Sequence, residues 1–317
     1  MQAVRDLRIV VVMAAVCGCA AHAGGAAPAA ATASRPELAA PTPHQRMVDE
    51  LNEALRRGDF EAAATAVDRA RQAPPQAQPS PQALAYYDAT VRAYRGDYRG
   101  AAKVMADHAA KVGPTAQAAF EFHDAMIALR TADGDLLGAL VECEEMVKAG
   151  TLGVWTPSDG DRMTLVRLKE HWHRAYLLRM VAQTLTGAER QTFIAYAEGA
   201  RRDYAALAAP LGLRDSIAVL DAYFAFCDGA RANMREAALR VNAVEDDDIE
   251  DLYLVQLALD GAGDSAAAAA VRKRMLGLTA ATVLTPVFLD WMRADDAPAD
   301  QPRRFSPKHP IGARPAR

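Results

Sequence analysis

Aromatic side chains are scarce in this chain, 6% of 317 residues, and clusters of Val, Ile and Thr bounded by turn residues are almost absent. Strands are built from such clusters, so their absence excludes a β-sheet protein. The hydrophobic fraction is nonetheless 51%, with alanine its largest contributor. Alanine is the best helix former and lets helices approach closely. The class that remains is all-α.

Charge of one sign is also lacking. A net charge of −4 is too small to argue for a nucleic-acid partner. No His-x-x-x-His or His-Glu-x-x-His pattern occurs, which removes the usual helical zinc site. His171 and His173 lie two apart, so on a helix they point about 200° from each other and cannot share a metal. None of the six serines has Lys three residues later, which excludes a Ser-x-x-Lys nucleophile. The run Gly261-Ala-Gly263-Asp264-Ser265-Ala266 fits a dinucleotide fingerprint only in letters. It has no strand before it and would place Asp264 against a pyrophosphate. Acidic residues at 245–251 lack the glycine of a calcium loop and read as a charged helix start. No catalytic, cofactor or metal residue is therefore assigned, and the chain reads as a non-enzyme. Cys143 and Cys227 fall on separate helices and read as two buried thiols. Trp172, flanked by Arg167, Lys169 and Arg174, reads as a core tryptophan with solvated charges around it.

What is present is a recurrent turn. Gly58-Asp59-Phe60, Gly96-Asp97-Tyr98 and Gly134-Asp135-Leu136 are spaced 38 residues apart, and Gly263-Asp264-Ser265 is a later copy out of register. Glycine ends a helix in the left-handed conformation at low cost, and aspartate caps the next helix. Before each turn runs an apolar stripe at helical spacing: Met47, Leu51 and Leu55; then Leu84, Tyr87, Val91 and Tyr94; then Phe122, Met126 and Leu129. A fixed period of this kind indicates stacked helical hairpins. The turn resembles that of the tetratricopeptide repeat, through the glycines, Phe60 and Tyr98, and the small residues Ala63, Ala101 and Ala139. Leu136 departs from the aromatic, and the interval exceeds the family's usual length of about 34 residues.

The N-terminus carries Arg5 and Arg8, an apolar run Ile9 to Val16, and Val16-Cys17-Gly18-Cys19. This resembles the lipobox of bacterial lipoproteins. The resemblance implies removal of residues 1–18 as a signal peptide, acylation of Cys19 and, with Ala20 following, sorting to the outer membrane. Residues 19–43, rich in Ala, Pro and Gly, then form a flexible tether. TPR-like hairpins occupy 44–150, and divergent hairpins with a closing helix occupy 151–295. A basic tail at 296–317 is expected to be disordered. The expected whole is a right-handed α-solenoid facing the periplasm, or alternatively a secreted or periplasmic form. By the tetratricopeptide resemblance, Asn52, Tyr86, Thr90, Tyr94, Glu121 and Asp124 are candidates for a groove that docks a protein or peptide. The alternative is an all-α periplasmic enzyme or small-ligand binder centred on 160–230. It would require a deep pocket joining His171 or His173 with Arg or Asp side chains from the facing helix.

Overall fold

The computed structural model describes residues 42–112, 116–152, 159–241, 248–277 and 284–296. The signal segment, Cys19, nearly all of the expected tether and nearly all of the basic tail lie outside these residues. Among the described residues the chain is all-α and divides into two compact units between Ala85 and Tyr86.

In the first unit, α1 (Pro43–Arg56) and α2 (Phe60–Arg71) form one hairpin. Thr42 caps α1 by accepting from the Gln45 amide, and Asp59 caps α2 by accepting from the Ala62 amide at 3.0 Å. Met47, Leu51 and Leu55 are buried, as are Ala63, Ala66 and Val67 on the facing helix. α3 (Pro81–Tyr94) spans the boundary between the units.

The second unit continues with α4 (Tyr98–Val112), α5 (Ala116–Ala132) and α6 (Leu136–Leu152). Two long helices follow, α7 (Asp159–Thr184) and α8 (Gly187–Ala208). Then come α9 (Arg214–Asp228), α10 (Arg231–Leu239), α11 (Ile249–Ala262), α12 (Ser265–Gly277) and α13 (Leu284–Asp295). The pairs α5–α6, α7–α8, α9–α10 and α11–α12 each pack as hairpins. The core of α3, α4 and α5 is made of Ala89, Ala93, Ala101, Met105, Ala125, Met126 and Leu129. Ala63, Ala101 and Ala139 are wholly buried, as the close-packing role of the small residue requires. This is repeating helix-hairpin packing of the tetratricopeptide kind.

The turns share one hydrogen-bond scheme. Gly58, Gly96, Gly134 and Gly263 have φ of +69°, +75°, +78° and +86°. At Gly96, its amide donates to the Ala93 carbonyl and the Asp97 amide reaches back to Arg92. This is the paired closure that a left-handed C′ residue permits. Gly212 and Gly229 close their helices in the same way without a following aspartate, which is why the Gly-Asp signature passes over them.

Two features add to the stacking in the second unit. α11 is buried on every side from Ile249 to Leu259, and a helix apolar all round belongs in a core. It packs against α9, α10, α12 and α13. α13 also lies against α5, far earlier in the chain. Its Phe288 and Trp291 rings sit 5.6 and 5.5 Å from Tyr253 of α11, and the Tyr253 hydroxyl donates to Asp295 at 2.8 Å. α13 thus folds back onto α5 and α11.

Candidate functional site

Two clusters on α7 carry the chemistry of the second unit, and the alternation of side chains along that helix separates them. Asp124 of α5 sits between Lys169 and His173 of α7. Lys169 Nζ donates to its Oδ2 at 2.7 Å, and its Oδ1 lies 2.9 Å from His173 Nε2. The other nitrogen of that imidazole lies 3.3 Å from the Tyr176 hydroxyl and 3.8 Å from Glu250 of α11. Burial alone would raise the Asp124 pKa, but Lys169 and His173 together outweigh it and hold the carboxyl well below the usual range. Glu250 goes the other way: burial dominates and pushes its pKa up, against the partial pull of His173. Burial and the neighbouring Glu250 raise the Tyr176 phenol well above its ordinary value. Opposite charges are satisfied within this cluster, so it joins α5, α7 and α11 through polar contacts.

The second cluster faces outward. A cleft of about 710 Å³ lies between α6, α7 and α8 and opens broadly to solvent. Val147, Ala206 and Leu207 supply apolar lining. Along α7 stand Arg167, Glu170, His171 and Arg174, with Glu144 and Lys148 on α6 and Asp203 on α8. Glu170 is buried, and both its oxygens are engaged. Oε2 lies 2.8 Å from His171 Nδ1 and Oε1 accepts from Arg174 at 3.1 Å. Burial opposes ionisation of Glu170, yet His171 and Arg174 outweigh it and lower its pKa. Arg167, Glu144 and Asp203 make no ion pair or hydrogen bond among the described residues.

The groove candidates are placed as follows. Asn52 is half-buried on α1 in the first unit. On α3, Tyr86 packs partly against the α3–α5 core. Thr90 is wholly buried and donates to the Tyr86 carbonyl at 2.9 Å, and Tyr94 is half-buried. Glu121 lies on α5, outside the residues whose side chains are described. Asp124 is the member engaged by Lys169 and His173. Trp172 is buried against Tyr204, with ring centroids 5.4 Å apart. Cys143 and Cys227 are both free thiols. His171 and His173 take opposite sides of α7, as their spacing demands.

Sequence reasoning did not find the cluster of Asp124, Lys169, His173 and Glu250, because its members come from three helices. A local signal existed for Arg167, His171 and Arg174, which share one helical face at four- and three-residue spacings, and for Glu170 and Arg174, four apart. Among the described residues no helix is long and apolar enough to cross a membrane, and no group of His, Cys, Asp and Glu could hold a metal ion. No protein-family model, no curated protein and no solved structure matches the chain.

Proposed function

We propose that the protein is an envelope lipoprotein, anchored through acylated Cys19, that acts as a non-enzymatic helical-repeat scaffold for a protein or peptide partner. The observation that carries this reading is the repetition of one hairpin design: the Gly turns at 58, 96 and 134 close with matching geometry over buried Ala63, Ala101 and Ala139. Stacked hairpins of this kind present extended surfaces suited to holding another chain. The lipobox resemblance at 16–19 supplies the setting, and Ala20 favours the outer membrane.

Crosslinking in native cells followed by mass spectrometry tests the partner. A partner crosslinked by the wild-type chain and lost in Tyr86→Ala and Tyr94→Ala supports the reading. A chain that crosslinks to nothing, or whose crosslinks are unaffected by both substitutions, is only a spacer. Anchoring is tested separately by Cys19→Ser, which abolishes incorporation of labelled fatty acid if Cys19 is acylated.

The small-ligand alternative has one observation in its favour. The cleft brings His171 together with Arg167, Arg174 and, from the facing helix α8, Asp203, although it is open rather than the deep pocket that reading requires.

A further inference from the structure

The cleft between α6, α7 and α8 has features that a solvated helix surface does not require. Its volume of about 710 Å³ falls within the range of about 300–1,000 Å³ seen for small-molecule sites. Its charges are sorted by wall. The α7 wall carries the guanidiniums of Arg167 and Arg174 with His171 between them, whereas Glu144 and Asp203 stand on the α6 and α8 walls. Lys148 also lines the α6 wall, but Glu145 takes its ammonium at 2.6 Å.

Glu170 organises the basic wall from beneath. It is 5% exposed, and its two oxygens bind one nitrogen each of His171 and Arg174. A carboxylate that engages Nδ1 fixes the ring so that Nε2 is left for another partner. One bond from Arg174 leaves most of its five N–H donors for a ligand. The acids facing this wall are not neutralised by it, since Glu144 and Asp203 form no ion pair with the arginines.

A purely anionic ligand would meet Glu144 and Asp203, and a purely cationic one would meet Arg167 and Arg174. A ligand carrying both charges and an apolar body satisfies each wall and the lining. We propose that this cleft binds a small zwitterion with an apolar side group, its carboxylate on Arg167 and Arg174, its ammonium on Asp203 and Glu144, and its side group against Val147, Ala206 and Leu207. A free amino acid and the termini of a short peptide share this chemistry. The inference goes beyond the scaffold reading and does not depend on any partner being captured.

Titration calorimetry on the full-length chain with four probes tests it: L-leucine, the tripeptide Leu-Gly-Gly, isovalerate and 3-methylbutylamine. At least one of the first two binds, about tenfold more tightly than either single-charge probe. The tighter of the two assigns the source as free amino acid or peptide. Arg167→Ala and Asp203→Ala each weaken that binding by about tenfold. Both side chains are exposed, so circular dichroism and thermal midpoint stay at wild-type values. The proposal is overturned if neither zwitterion binds, if isovalerate or the amine binds as tightly as leucine, or if both variants bind like the wild type.

Discussion

Nε2 of His173 lies 2.9 Å from Oδ1 of Asp124, 49 residues earlier in the chain. The second oxygen of that carboxylate is held by Lys169, one helical turn before His173, so α5 is fixed to α7 at two points. Glu250 of α11 faces the other nitrogen of the ring at 3.8 Å. Three helices that are distant in sequence therefore meet at one imidazole.

Asp124→Ala removes the carboxylate that Lys169 and His173 share. The contacts are part-buried and charge-assisted, so losing them costs about 1.5–3 kcal/mol. The expected result is an unfolding free energy lowered by that amount, seen as a lower urea midpoint at unchanged m-value. The pH dependence follows from the lowered pKa. The unfolded carboxyl takes its proton near pH 4, while the folded one resists protonation, so stability from Asp124 is whole above that value and drains below it. Wild type therefore loses stability more steeply than Asp124→Asn as pH falls below about 4. Parallel acid curves for the two proteins would remove the carboxylate from the account.

Glu250 has the opposite linkage. Its folded pKa is raised, chiefly by burial, so the folded state holds the proton more firmly than the unfolded state. Its contribution is whole below the unfolded value of about 4.3 and is lost as pH climbs through the folded one. Glu250→Gln keeps the shape and removes the charge. It is expected to exceed wild type in stability at about pH 7 and to lose that advantage toward about pH 4. Thermal midpoints of the pair across that range decide it. A variant destabilised equally at every pH would mean that a hydrogen bond, not the charge, is what counts.

The N-cap turns contain a pairing that their shared Gly-Asp motif hides. A Cβ on Gly100 or Gly138 would run into the carboxylate of Asp97 or Asp135. These two aspartates are drawn toward Arg92, at 3.4 Å, and Arg130, at 2.9 Å, each five residues earlier. At Asp59 the residue five earlier is Ala54, the position corresponding to Gly100 is Ala62, and the cap bond is still 3.0 Å. Gly100→Ala is therefore expected to detach Asp97 from Arg92 while keeping the cap. That exposed pair is worth about 0–1 kcal/mol, so the change is small and disappears in an Arg92→Ala background. Gly96→Ala, at φ +75°, costs about 1–2 kcal/mol in either background because an L-residue is strained there. A double-mutant cycle in urea measures both.

What could be read from sequence follows the range of the interaction. Gly58, Gly96, Gly134 and Gly263 declare their left-handed conformation locally, because the residue that ends a helix and the aspartate that starts the next are adjacent. The stripe Met47, Leu51 and Leu55 is legible because one helix face suffices to define it. The return of α13 to α5, and the meeting of Asp124, His173 and Glu250, depend on how hairpins stack. No local pattern encodes that. In the cleft, the face shared by Arg167, His171 and Arg174 was available in the spacing, but Asp203 and Leu207 belong to α8 and join them only through the α7–α8 packing.

Phe224 offers a test of that same helix pair from its buried side. The ring is 3% exposed, with the guanidinium carbons of Arg179 and Arg201 at 5.6 and 5.2 Å from its centroid. Arg179 is itself 2% exposed and pairs with Asp228; Arg201 is held by Glu198 at 2.9 Å and by Asp221. A cation over an aromatic face contributes about 0.5–2 kcal/mol, more as water is excluded. Phe224→Leu keeps most of the apolar volume and deletes the quadrupole, so a loss of about 1–3 kcal/mol is expected. Arg179 is unsuitable as the second arm, since at 2% exposure its removal would leave a cavity beside the ring. Arg201→Ala is the better partner, and coupling between it and Phe224→Leu should reach about 0.5–1 kcal/mol. Additive losses would show that Arg201 merely passes near the ring, and that Phe224 contributes through packing rather than through the cation.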